Sequence, residues 1–241
     1  MRKVYKRETY EGFSMVEMLI TTVILGFIML MSALVLTTLI RVSTTSTNKA
    51  RVRTDSEYVL ELLRRTIKTT DPNYVKIYNS SKRTYDANSG NVNISAGDFK
   101  EVTAIGETGN EIHIRPNNSQ RWICLAYYKG RKTDTDNTGK VKGYILKTSM
   151  MNMEDSLVGH QNCFNNIPIS EDSEYNYNMV LNSRFVNIED FKIQLKPTVD
   201  FNKIIQFDLK SSAVNWYFGS GSILSRSLYR QAIVKTESVI W

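Results

Sequence analysis

Gly12-Phe13-Ser14-Met15-Val16-Glu17-Met18-Leu19-Ile20 opens the stretch that decides how this chain is built. From residue 18 to residue 40 no formal charge follows. As a helix, residues 18–40 span about 35 Å at ~1.5 Å per residue, enough to cross a hydrocarbon core of ~30 Å. Gly26 is the only glycine after Gly12 in this run and there is no proline, so nothing forces a break. The segment is longer than the apolar part of a secretory signal peptide, and no Ala-x-Ala pattern follows it, so the expectation is a retained anchor. Arg2, Lys3, Lys6 and Arg7 precede it, while Arg41, Lys49, Arg51 and Arg53 follow it. Positive charge on both sides leaves the orientation unset by charge bias. Glu17 stands at the edge of the apolar run, where a carboxylate is costly unless paired or used.

Working outward, a helical stripe resumes after the polar run at 43–48. Val52, Ser56, Val59, Leu60, Leu63 and Ile67 keep i, i+3, i+4 spacing, with Arg51, Asp55, Glu61, Arg64 and Lys68 on other faces. The pattern predicts helix from about 14 to 70, stopped at Asp71-Pro72. Its second half should dock on a sheet. Strand patterns follow at 74–78, 121–128 and 141–148, with a weak one at 92–94 inside a polar loop at 79–100. Segments 101–105 and 111–115 flank Gly106-Glu-Thr-Gly109-Asn as a hairpin. Phe191, Ile193 and Leu195 alternate cleanly, as do Ile205, Phe207 and Leu209, and form the clearest hairpin. Residues 149–178 lack a steady period, and 227–241 reads as strand from its β-branched residues. The fold class is α+β: a long N-terminal helix, membrane-spanning in its first half, packed on an antiparallel sheet.

The chain has 241 residues and a formal charge of +7, which an ordinary solvated surface accommodates. Cys124 and Cys163 allow a single pairing, and an exported domain would permit that disulfide. Proximity of the two is not set by sequence. Among His113, His160, Cys124 and Cys163, only His160 and Cys163 are close in sequence, so no metal site is expected. No Gly-x-Ser-x-Gly elbow or glycine-rich phosphate loop occurs, and nothing supports an enzyme or a catalytic residue.

The residues quoted at the outset, behind a short basic leader, resemble the N-terminal signature of type IV pilins and the related pseudopilins of secretion and DNA-uptake machines. The resemblance covers about the first 30 residues; the rest agrees only in layout. It implies a leader at 1–12, a hydrophobic transmembrane and assembly helix at 13–40, and an extracytoplasmic pilin-like domain at 41–241 that includes the amphipathic helix 41–70. It further implies cleavage between Gly12 and Phe13 by a prepilin peptidase and N-methylation of Phe13. Glycine before the scissile bond lets the backbone approach closely. Glu17 would lie one helical turn from the new amino terminus and serve subunit assembly. Implied partners are other pilin or pseudopilin subunits, an assembly platform with its ATPase, and the inner membrane, with the N-terminus cytoplasmic and the domain outside. Leu34 stands where many major pilins carry a kinking proline, which favours a minor pilin or pseudopilin. In size and layout the J-type minor pseudopilins of type II secretion are the nearest analogue.

Two alternatives stay open: a signal-anchored extracytoplasmic binding module that never polymerises, and a DNA-uptake pilin using Lys129, Arg131 and Lys132, which sit beside Tyr127 and Tyr128. The loop Asp134-Thr-Asp136-Asn137-Thr138-Gly139 resembles the start of a calcium loop. Ile145 occupies the position of the bidentate glutamate, so a plain turn is the favoured reading of Asp134 and Asp136 and no cofactor is expected.

Overall fold

The computed structural model describes residues 12, 14–80, 83–94, 99–117, 119, 121–136, 138–151, 163, 176–198, 202–214 and 227–236. One helix, α1, runs Met15–Lys68, close to the expected bounds. Ser14 starts it: the Glu17 N–H reaches Ser14 Oγ at 3.2 Å and Ser14 O at 3.1 Å. A serine three residues before a glutamate is the sequence form of a capping box. The helix ends before a short 3-10 turn, Pro72–Tyr74, whose Asn73 N–H is capped by the Asp71 carboxylate at 2.8 Å.

The chain divides into two compact units, Met1–Thr45 and Ser46–Trp241. In the first, the large apolar side chains of α1 are exposed on every side, from Met15 to Val42. This is a helix long and apolar enough to cross a membrane. In the second unit, α1 buries Val52, Ser56, Val59, Leu60, Leu63 and Ile67, the stripe expected from the spacing.

Among the described residues twelve strands follow: β1 Val75–Ser80, β2 Arg83–Tyr85, β3 Val92–Ile94, β4 Phe99–Glu101, β5 Thr108–Gly109, β6 Glu111–Ile114, β7 Arg121–Gly130, β8 Gly143–Met151, β9 Asn176–Val180, β10 Val186–Lys196, β11 Ile204–Ala213 and β12 Ser227–Lys235. They form two sheets rather than the single one expected. The first has the order β3-β2-β7-β6-β1-β4, with β8 on β7 and β9 on β8; the second runs β12-β11-β10-β5. All pairings are antiparallel except β2 with β7, so the first sheet is mixed. The expected pairing of 191–195 with 205–209 is present, with Phe191 opposite Leu209 and Ile193 opposite Phe207. The strands near 121 and 141 also pair as expected.

The hairpin expected around Gly106 does not form. β1 lies between β4 and β6, pairing with both, while Thr108–Gly109 leaves to join β10. Gly109 makes this crossing feasible: a Cβ there would lie 2.6 Å from Ile77 Cγ2 and 2.7 Å from the Tyr78 carbonyl oxygen. The α1 stripe packs in one core with residues of both sheets, among them Ile77, Ile112, Leu125, Phe191, Phe207 and Val234. Two buried asparagines tie the sheets together. Asn187 Oδ1 accepts the Gly143 N–H at 2.8 Å, and Asn182 Oδ1 accepts the Ile145 N–H at 2.9 Å.

Candidate functional site

The N-terminal head is the first place where function was expected. Gly12 is exposed, and an added Cβ there would meet nothing within 4 Å. Glu17 sits in the first turn of α1 with its side chain exposed, at the start of the apolar face. There the free N–H groups and the helix dipole favour a negative charge. Phe13, the residue expected to carry the new terminus, lies outside the described residues, as do residues 1–11, the expected leader up to Gly12.

The basic cluster straddles the end of β7: Lys129 is in the strand, and Arg131 and Lys132 follow it. Lys129, Arg131 and Lys132 are exposed. Arg131 is engaged with the Asp86 carboxylate at 2.9 Å. Asp86 in turn accepts the Asn88 N–H at 3.1 Å and the Ser89 hydroxyl at 2.5 Å, and these bonds hold its carboxyl below the usual range. A positive patch interleaved with acids attracts a polyanion less than its count of lysines and arginines suggests.

The acidic pair in the same loop is used internally. Asp134 meets Lys142 Nζ at 2.8 Å and accepts the Tyr144 hydroxyl at 2.5 Å. Asp136 is buried and accepts from the Thr138 N–H at 2.9 Å, the Thr138 hydroxyl at 2.6 Å and the Lys140 N–H at 3.0 Å. Burial works to raise its carboxyl, but these bonds outweigh it and leave the pKa lowered. The two carboxylates hold the turn between β7 and β8 together through these bonds, which is how the favoured plain-turn reading would use them.

A third centre is built around the one cysteine pairing that the sequence allows, Cys124 with Cys163. β6 and β7 pair with His113 opposite Cys124, so both side chains project from the same face of the first sheet. Cys163 reaches that face and is disulfide-bonded to Cys124, with a Cα–Cα distance of 6.1 Å. One ring nitrogen of His113 and the two sulfurs all lie within 4.8 Å of one another, and all three residues are buried. Behind the ring, Glu111 Oε1 is 2.5 Å from His113 Nε2. Arg83 completes the row: its Nη2 donates to Glu111 at 2.6 Å, its Nη1 to the Tyr128 hydroxyl at 2.7 Å and its Nε to Ser80 Oγ at 3.1 Å. Burial raises the Tyr128 hydroxyl to about 12, against the pull of Arg83, so it stays protonated. Tyr78 stacks at a tilt on His113, 4.7 Å between centroids.

Two residue types capable of ligating a soft metal thus come together with a carboxylate on the imidazole, although His113 lies far from Cys163 in sequence. His160 lies outside the described residues. The missing signal was register. Once β6 and β7 are aligned through Glu111 and Ala126, His113 falls opposite Cys124, but neither strand announces that alignment in its own sequence.

Comparison with known proteins finds no matching family model, no matching curated protein and no matching solved structure.

Proposed function

We propose that the chain is a minor pilin or pseudopilin: a membrane-held precursor, cut after Gly12 and assembled by lateral helix packing into a type IV pilus or a secretion-type pseudopilus. One observation carries this reading. A single helix, Met15–Lys68, is apolar and exposed through Val42 and then supplies Val52 to Ile67 to a folded core, directly behind Gly12-Phe13-x3-Glu17. Such a helix needs one nonaqueous environment for its first half, whether lipid or the helices of neighbouring subunits. Glu17 sits at the head of that half, where an unpaired charge in lipid costs about 3 kcal/mol. An amino terminus supplied by a neighbouring subunit would offset that cost in one axial register only. The N-terminus faces the cytoplasm in this reading, and the β-domain lies outside. The chain acts by assembly, with no catalytic step of its own.

The test is the mass of the protein recovered from membranes. A mature chain beginning at Phe13 and carrying an added methyl group supports the reading. An intact leader retained in the mature protein would instead identify a signal-anchored module that does not polymerise.

A further inference from the structure

The centre on the far face of the first sheet has more parts than a disulfide uses. Cys124 and Cys163 need only each other, yet an imidazole lies within 4.8 Å of both sulfurs. The imidazole is held by Glu111 at Nε2, and Glu111 is held by Arg83, with the Arg83 and Glu111 side chains 2% and 0% exposed. Burying a charge pair is costly, and a hydrophobic pair of similar volume would serve packing at least as well. A carboxylate on one imidazole nitrogen is the arrangement that fixes the ring's tautomer and aims the other nitrogen at a metal.

We propose that Cys124, Cys163 and His113 form a metal site that takes Zn(II) when the disulfide is reduced. A dithiol reductant delivers two electrons and two protons to the S–S bond and is itself oxidised to a disulfide. Zn(II) then displaces one proton from each thiol, giving two Zn–S bonds. His113 adds a Zn–N bond through Nδ1, because Nε2 is occupied by Glu111. Ligand atoms around tetrahedral zinc stand about 3.3–3.8 Å apart, a spacing reached by opening the S–S bond while the ring stays near its place. A water completes the tetrahedron.

Charge selects the metal. Two thiolates offset Zn(II), the imidazole is neutral, and Glu111 and Arg83 offset each other, so the buried centre carries no net charge. Soft thiolates with one imidazole also suit zinc better than calcium or magnesium. The site does not depend on how the N-terminal helix is used.

The experiment uses the full-length chain in detergent micelles, with zinc as the only added metal. After reduction and exhaustive dialysis, the wild type should retain about one zinc per chain, and the oxidised wild type should retain none. Cys124→Ser should abolish retention, and Glu111→Gln should weaken affinity roughly 10–100-fold while leaving both thiols titratable. X-ray absorption on the reduced wild type reads the ligand set without any variant: two sulfurs and the outer-shell scattering of one imidazole are expected. A spectrum without imidazole, zinc retention unchanged by His113→Gln, or no retention despite two titratable thiols would each overturn the proposal.

Discussion

Arg83 and Glu111, 28 positions apart in the chain, meet with no exposure to solvent beyond 2% for either side chain. The guanidinium of Arg83 also reaches Tyr128 and Ser80, so all three of its nitrogens are satisfied. Glu111→Gln leaves Arg83 as a buried charge with a neutral partner and should cost about 3–5 kcal/mol. The double variant Arg83→Met, Glu111→Leu should recover most of that loss. Urea denaturation of the two variants beside the wild type checks both; equal losses would mean that the pair contributes through packing rather than charge.

Glu17→Ala bears on assembly. If the chain is the filament subunit proposed above, the variant should leave cleavage after Gly12 largely intact while depleting the protein from sheared filaments. Immunoblots of membrane and filament fractions separate the two effects, and normal incorporation would remove Glu17 from its role in register.

At Gly143 the backbone of β8 comes close to that of β10. A Cβ there would run into the Ile188 carbonyl oxygen and the Tyr127 ring, at the point where Asn187 accepts the Gly143 N–H. Gly143→Ala therefore has to part β8 from β10, and should destabilise by about 1–3 kcal/mol. Gly139→Ala is a contrasting control: its φ of +80° adds backbone strain, but nothing lies within 4 Å of a Cβ there. Thermal melts of the two variants should show the larger loss at Gly143.

Asp136 links stability to acid. Burial opposes its charge, but bonds from Thr138, Lys140 and Asn187 leave the folded pKa lowered from the ordinary value near 3.8. The unfolded chain therefore binds this proton first as pH falls. The stabilisation is complete above the unfolded value and is lost as pH drops through the folded one. Asp136→Asn should be less stable than the wild type at pH 7, with the gap closing below about pH 4. Urea midpoints across that range give the answer, and a gap independent of pH would exclude the carboxylate as its source.

Legibility followed periodicity. The α1 stripe and the alternation in β10 and β11 each point to one buried face, and both the elements and their pairing were readable. The segment 101–115 shows why pairing fails elsewhere: a period of two identifies a strand but not its neighbour, and β1 took the place assigned to a hairpin partner. The first sheet hid its second face for a different reason. Trp122, Cys124, Ala126 and Tyr128 are buried on one side of β7 while Leu125 is buried on the other, so the expected contrast between inward and outward positions is blurred. The site was split in the same way. Ser14-x-x-Glu17 is local and can be read directly, as a cap as well as a charge. His113 and Cys124 become neighbours only through register, and Cys163 comes from a stretch with no period to read.

Ser56 Oγ and Ser211 Oγ share a hydrogen bond at 2.7 Å across 155 positions, and Val52 belongs to the same core as Val234. The first part of this core to be synthesised therefore waits for nearly the last. A translating ribosome releases the apolar half of α1 long before β12 exists, so the domain cannot close until most of it has been made. Contacts this distant in sequence also make folding slow. The core can therefore close only after both ends of this long sequence span are available.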